Sequence, residues 1–403
     1  MPAPSRFLPR AALAALLLLL VPCAWPAPKY KVMHSFTGGN DGGYLWGSLT
    51  LGKSGSIYGT ARGGGDHNGG VLFELSKSGR NWSETVLYNF CSASGCADGG
   101  ASVAGVTFDS SGNLYGTTQD GGPLGYGAVF EASPLGDGNW TETVLHGFHS
   151  GDFGGCCPYS GVTLDDAGNV FGTPDAGVYE LSQGSEGWSY DVLHQFTGEN
   201  GDGYLSGAGV IRDSNGNLYG TTQMGGGYDN NCGGGCGTVY RLHPKGNGIW
   251  QETILHEFGA PGDGTTPDNG ALIMDGQGNL YGATASGAIY KLAPRPHGAW
   301  KETVLYDIPG GDQGQEPAGG VVMDKAGALY GTTIAGGSAG CGVVYKLAPE
   351  AKGKWKYTVL HTLLGFDGCQ SAASLVLDSK GNLFGTTTLG GKYDLGVAFE
   401  LTP

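Results

Sequence analysis

The sequence predicts an all-β chain, a seven-bladed β-propeller with four antiparallel strands per blade. A motif of the form Asn-Leu-Tyr-Gly-Thr-Thr recurs seven times. It is clearest at residues 113–118, 217–222 and 382–387, with weaker copies from Ser56, Asn169, Asn279 and Ala328. Its glycine falls at Gly59, Gly116, Gly172, Gly220, Gly282, Gly331 and Gly385, with gaps of 57, 56, 48, 62, 49 and 54 residues. A period near 50 built from short strand-like runs marks a propeller or a related array. Glycine supplies 80 of 403 residues, yet 20 Tyr, 14 Phe and 8 Trp argue against disorder, because disordered segments are poor in aromatics. The glycines read instead as tight turns. No 3.6-residue apolar periodicity follows Val21, so almost no helix is expected.

The second copy shows the unit. Residues 102–109 form a first strand, and residues 109–113 (Asp-Ser-Ser-Gly-Asn) a turn of residues that bond their own backbone or accept positive φ. Residues 114–118 are the second strand, and a glycine-rich loop leads to a third at 128–132. After a turn at 134–139, residues 140–148 alternate in period two as a fourth strand. Four such strands make one blade. The aromatics of the second strand (Tyr58, Tyr115, Phe171, Tyr219, Tyr281, Tyr330, Phe384) and of the third (Phe73, Phe130, Tyr179, Tyr240, Tyr290, Tyr345, Phe399) suit packing between blades. The chain opens on a fourth-type strand at 30–36 and ends on a third-type strand at 397–401. Pairing the N-terminal strand with the C-terminal blade closes the ring and removes its open edge.

Residues 1–27 read as a signal peptide before a propeller domain at 28–403. Arg6 and Arg10 precede an apolar run of eleven, residues 11–21, too short to span a bilayer. Cys23 invites a lipid-anchor reading, but Pro22 beside it fits poorly. Removing the two arginines takes 21 bases to 19 against 36 acids, a net charge of −17. That balance disfavours nucleic acid and anionic membranes as partners and allows neutral glycans or cations. A secreted monomer, extracellular or periplasmic, with no membrane insertion is expected. An even set of eight cysteines in an exported chain favours disulfides. Cys91–Cys96 and Cys232–Cys236 suit local bridges, and Cys341 could pair with Cys369, leaving Cys156 beside Cys157. Cys232 and Cys236 lack a second ligand pair, so no metal centre is expected there.

The motifs Leu-Tyr-Gly-Thr-Thr, Gly-Gly, Val-Tyr-Lys-Leu and Trp-x-Glu-Thr-Val-Leu resemble the GloVer tandem repeat of secreted bacterial proteins, across residues 30–403. The segment at 104–115 is also similar to NHL-type blades. The order of glycine pair, aromatic and tryptophan is more distantly similar to kelch. The GloVer resemblance implies an exported repeat protein with no established activity, and it supplies no catalytic residues.

Function must then come from where the repeat breaks. Turns between first and second strands are short and alike, so their face reads as structural. Loops between second and third strands, and connections between blades, vary and share the other face, where binding residues gather. There Tyr44, Trp46, Gln119, Tyr204, Gln223 and Tyr228 suit stacking on, and hydrogen bonding to, a glycan or a cell-surface partner. The rival class is a carbohydrate-active enzyme, a polysaccharide lyase or glycosidase. Arg62 would hold a carboxylate, and His67, His149 or Tyr159 would move a proton. An aspartate recurs in each connection (Asp41, Asp98, Asp152, Asp202, Asp263, Asp312, Asp367). A ring of carboxylates around one mouth could take calcium, but sevenfold recurrence favours a turn role. His34, His146, His194, His256 and His361 share one fourth-strand slot with Tyr88 and Tyr306, which reads as packing. No other cofactor is expected.

Overall fold

The computed structural model describes residues 27–151, 155–227, 232–267, 270–317 and 319–403. Seven four-stranded antiparallel sheets follow one another along the chain. Blade 1 is Thr50–Leu51, Ile57–Ala61, Val71–Ser78 and Asn81–Asn89. Blade 2 is Thr107–Phe108, Leu114–Thr118, Ala128–Pro134 and Trp140–Gly147. Blade 3 is Thr163–Leu164, Val170–Gly172, Gly177–Gly184 and Gly187–Gln195. Blade 4 is Ile211–Arg212, Leu218–Thr222, Thr238–Gly246 and Ile249–Glu257. Blade 5 is Ile273–Met274, Leu280–Ala283, Ala288–Pro294 and Trp300–Asp307. Blade 6 is Val322–Met323, Leu329–Thr332, Val343–Pro349 and Trp355–Thr362. Blade 7 takes Val376–Leu377, Leu383–Thr387 and Val397–Thr402 from the C-terminus and Lys29–Ser35 from the N-terminus. In it Tyr30 faces Leu401 and Val32 faces Phe399. The ring is closed, because Lys29–Ser35 also touches the outer strand of blade 1.

Each letter of the recurrent motif has a physical task. Its glycine makes room for the third-strand ring. A Cβ at Gly116 would lie 2.7 Å from Cζ of Phe130, and one at Gly220 would lie 2.3 Å from the Tyr240 hydroxyl. In five blades the threonine after it reaches into the next blade. Thr60 Oγ1 donates to the Ala104 carbonyl at 2.7 Å, Thr117 to Ser160 at 2.8 Å and Thr173 to Ala208 at 2.9 Å. Thr386 closes the circle on the Gly47 carbonyl at 3.1 Å. Each such buried bond contributes about 0.5–1.5 kcal/mol net. The second-strand aromatic meets the fourth-strand tryptophan of the following blade, as Phe171 meets Trp250 and Tyr219 meets Trp300. The turn aspartates do the expected work: Asp109 Oδ1 accepts the N–H groups of Ser111, Gly112 and Asn113.

The core is therefore divided among the seams between blades. One cluster joins Tyr115, Val129 and Phe148 of blade 2 to Val162, Val170 and Tyr179 of blade 3. The first strand is shorter than the sequence suggests, since only Thr107–Phe108 of the expected 102–109 run pairs within the sheet. The residues before it crowd against neighbouring blades at the axis. A Cβ on Gly105 would lie 2.6 Å from the Ser48 carbonyl oxygen, and one on Gly161 would lie 2.8 Å from that of Gly105.

Candidate functional site at the axial mouth

Second-to-third-strand loops and blade connections do share one face, and they zip together there. Gly43 bridges Gly63, Gly100 bridges Asp120, Gln315 bridges Ala335 and Cys369 bridges Leu389. In blade 4 the zip is a two-stranded ladder, Gly203–Tyr204 with Met224–Gly225.

The residue three places after the motif glycine recurs at the top of each blade. Its N–H donates to the connection: Arg62 to Tyr44 at 3.3 Å, Gln119 to Ala101 at 3.3 Å, Asp175 to Cys156 at 3.1 Å, Gln223 to Leu205 at 2.8 Å, Ala285 to Thr266 at 2.8 Å, Ile334 to Glu316 at 3.0 Å and Thr388 to Gln370 at 2.9 Å. The accepting residue has a left-handed φ in six blades, from 52° at Ala101 to 61° at Gln370, although none is glycine. In blade 3 the left-handed residue is Cys157, next to the acceptor. The backbone duty is thus identical in all seven copies, which leaves the side chain free to differ.

It differs around a cavity of about 750 Å³ at the axis. Arg62, Gln119, Asp175 and Gln223 line it from blades 1 to 4, together with Trp46 and Tyr159 from the connections. Blades 5 and 7 contribute Ala271, Ala372, Ala373 and Ser374. Deeper in, Thr50, Thr107 and Thr163 face the cavity, with Ile211 after them. Arg62 is exposed and makes no ion pair among the described residues. Burial pushes the Asp175 carboxyl above its usual range, while the Cys156 N–H, 2.8 Å from Oδ1, pulls it back.

Five of the residues picked from sequence converge here: Trp46, Arg62, Gln119, Tyr159 and Gln223. Tyr44 and Tyr204 are exposed on the same face but do not line the cavity. His67 is exposed in the Arg62 loop, away from it. His149 is also exposed, and its Nδ1 accepts the Gly151 N–H at 3.0 Å. Tyr228 and Asp152 lie outside the described residues. Asp175 was missed, although it stands at the register of Arg62, Gln119 and Gln223. Its sequence, Gly-Thr-Pro-Asp, departs from the motif just before it. The bonded cysteine pairs are Cys91–Cys96, Cys156–Cys157, Cys232–Cys236 and Cys341–Cys369.

Among the described residues, none of the recurrent connection aspartates lines the cavity, which corrects the calcium-ring expectation. Of these, Asp41, Asp98, Asp202, Asp263 and Asp367 turn outward to the fourth strand instead. His34 Nε2 lies 2.9 Å from Asp41, His361 Nε2 lies 2.8 Å from Asp367, and the Tyr88 hydroxyl donates to Asp98 at 2.8 Å. A glutamate of the following blade joins several of these pairs, and burial beside the aspartate pushes Glu142 up to about 8 and Glu84 to about 7.

Fold and cavity together define a seven-bladed repeat propeller with a lopsided axial mouth. The model of the Gloeobacter/Verrucomicrobia repeat matches residues 24–231 and 231–403, and the chain belongs to that family. No curated protein matches it. Among solved structures, an ancestral GH74 enzyme is similar at a TM-score of 0.55 and 11% identity, over 89% of this chain and 47% of that one. The chain thus spans about half the length of that enzyme. An oxidoreductase from Thermus thermophilus described as a glucose dehydrogenase matches at a TM-score of 0.42 and 14% identity, over 93% of this chain and 100% of that one. YjhT matches at 0.46 and 12% identity, over 78% and 97%. At these identities the likeness concerns the fold alone. No helix among the described residues is long and apolar enough to cross a membrane.

Proposed function

We propose that this is an exported protein that recognises a carbohydrate, held at the loop-face mouth of the axial cavity. The lopsided lining carries the reading: two aromatics, a guanidinium, two amides and a carboxylate share one arc, and small groups the other. Aromatic faces take the C–H surface of a sugar, and amides and carboxylates take its hydroxyls. A volume of about 750 Å³ falls within the ordinary range of small-molecule sites. Every exposed aromatic among the described residues (Tyr44, Trp46, Tyr126, Tyr159, Tyr204, Phe366, Tyr393) belongs to a loop or connection of this same face. Four cysteine pairs suit an oxidising compartment.

One observation favours an enzymatic second reading. Asp175 is a half-buried carboxyl with a raised pKa in the cavity that Arg62 also lines, a pairing suited to acid–base work on an acidic sugar. His67 takes no part in it. A glycan array combined with a reducing-end assay separates the two. Recognition predicts array binding that Trp46→Ala and Arg62→Met abolish, without new reducing ends. New reducing ends that Asp175→Asn removes would establish the enzyme. A wild-type chain that neither binds nor cleaves any glycan overturns both.

A further inference from the structure

At the seam between blades 3 and 4, His194 Nε2 lies 3.4 Å from Asp202 Oδ1 and 3.6 Å from Glu252 Oε1. The first distance is long for a hydrogen bond. All three ligand atoms lie within 4.8 Å of one another. Glu252 Oε1 is shielded from solvent and has no hydrogen-bond partner. A buried, unpaired carboxylate oxygen needs an explanation. Bonds of about 2.0–2.2 Å around a tetrahedral cation put neighbouring ligand atoms about 3.4 Å apart. The two measured edges match that figure.

The surrounding contacts suit a metal ligand set. Asp202 Oδ2 is held by the Thr197 N–H at 2.7 Å and the Thr197 hydroxyl at 2.9 Å, and the Gly203 N–H donates to Oδ1 at 2.8 Å. Such outer contacts fix the direction of a ligating carboxylate. One seam on, the same residue types meet without gathering in this way. His256 Nε2 lies 3.2 Å from Asp263 Oδ2, and Glu302 Oε1 is buried without a hydrogen-bond partner, but among the described residues only His194, Asp202 and Glu252 bring three ligand atoms within 4.8 Å. Where tyrosine replaces the glutamate, a ring stack fills the seam instead, as between His146 and Tyr190 at 4.1 Å or His361 and Tyr30 at 3.8 Å.

We propose that the seam between blades 3 and 4 is a zinc-type divalent cation site built from His194, Asp202 and Glu252, with a water as fourth ligand. One imidazole and two carboxylates suit zinc or its transition-metal neighbours. Calcium is disfavoured, since it takes six to eight oxygens. A cation here would tie the fourth strands of two blades to the connection between them, independently of any ligand at the axial mouth.

The test uses the full chain, stripped with a chelator and titrated calorimetrically with zinc chloride and, separately, calcium chloride. At least one tight zinc equivalent and a higher melting temperature are expected, with no calcium binding at the same concentrations. Glu252→Gln keeps shape and volume and loses one equivalent. Glu302→Gln keeps the tight one. The cobalt(II)-loaded chain shows the visible absorption of a four-coordinate nitrogen–oxygen site, and Glu252→Gln loses it. No saturable zinc binding, equal calcium binding, or an unchanged zinc count in Glu252→Gln would overturn the proposal.

Discussion

The two arcs of the axial mouth share a backbone and differ in side chains. In blades 1 to 4 the residue three places after the motif glycine is Arg62, Gln119, Asp175 or Gln223. In blades 5 to 7 it is Ala285, Ile334 or Thr388. All seven donate the same backbone hydrogen bond to the connection. A position whose structural duty is met by its main chain is free to vary, so its variation is not imposed by the fold, and on the proposed function it answers to a ligand. This difference separates a frame built by repetition from a candidate site built by departure from it.

If the frame is equal in both arcs, damaging it should cost the same in each. Gly116→Ala in blade 2 and Gly331→Ala in blade 6 both drive a Cβ into a buried ring. Each should lower stability by about 1–3 kcal/mol in denaturant melts. Unequal losses would break the comparison.

If the site belongs to one arc, damaging that arc should matter alone. Arg62→Met is expected to weaken binding to a retained glycan at least about tenfold, or about 1.4 kcal/mol, by calorimetry. Ile334→Ala, on the far arc, should leave it within about twofold. A reversed order would move the site across the mouth.

The seams sharpen the contrast through pH. Glu142 is held up to about 8 by burial and by the charge of Asp98, against an unfolded value near 4.5. The folded chain therefore keeps a proton that the unfolded chain has lost across that interval. Stability from this group is full below about pH 4.5 and is lost as pH rises through about 8. The melting temperature should fall between about pH 5 and pH 9, and Glu142→Gln should flatten that fall. Tyr357→Phe, at a seam with a tyrosine in the glutamate's place, should leave the slope unchanged.

The smallest effect expected is at the third-strand rings. Tyr179, Tyr240, Tyr290 and Tyr345 bury hydroxyls without partners, where blades 1, 2 and 7 carry Phe73, Phe130 and Phe399. Tyr290→Phe should leave stability unchanged or raise it by at most about 1 kcal/mol. A clear loss would point to a partner for that hydroxyl.

Most of the fold was legible because the repeat prints its own packing rules. The motif glycine recurs in all seven blades and the threonine makes its inter-blade bond in five, so the copies could be read against each other. Five mouth residues were legible for the opposite reason: Trp46, Arg62, Gln119, Tyr159 and Gln223 break the pattern on the variable face. Asp175 was hidden because Pro174 disturbs the motif just before it. His67 shares a loop with Arg62 but does not line the cavity, because a common loop does not fix where a side chain points.

From the sequence alone came the blade count, the strand order, the ring closure by Lys29–Ser35 and the face on which loops gather. These follow from local periodicity and from the need to cover open strand edges. Only the tertiary structure decided that Asp41, Asp98 and Asp367 turn outward to His34, Tyr88 and His361, and that Asp175 joins Arg62 around one cavity. Closing seven sheets into a circle sets which side chains meet across seams and at the axis, and that angle is a sum over the whole chain that no single repeat contains.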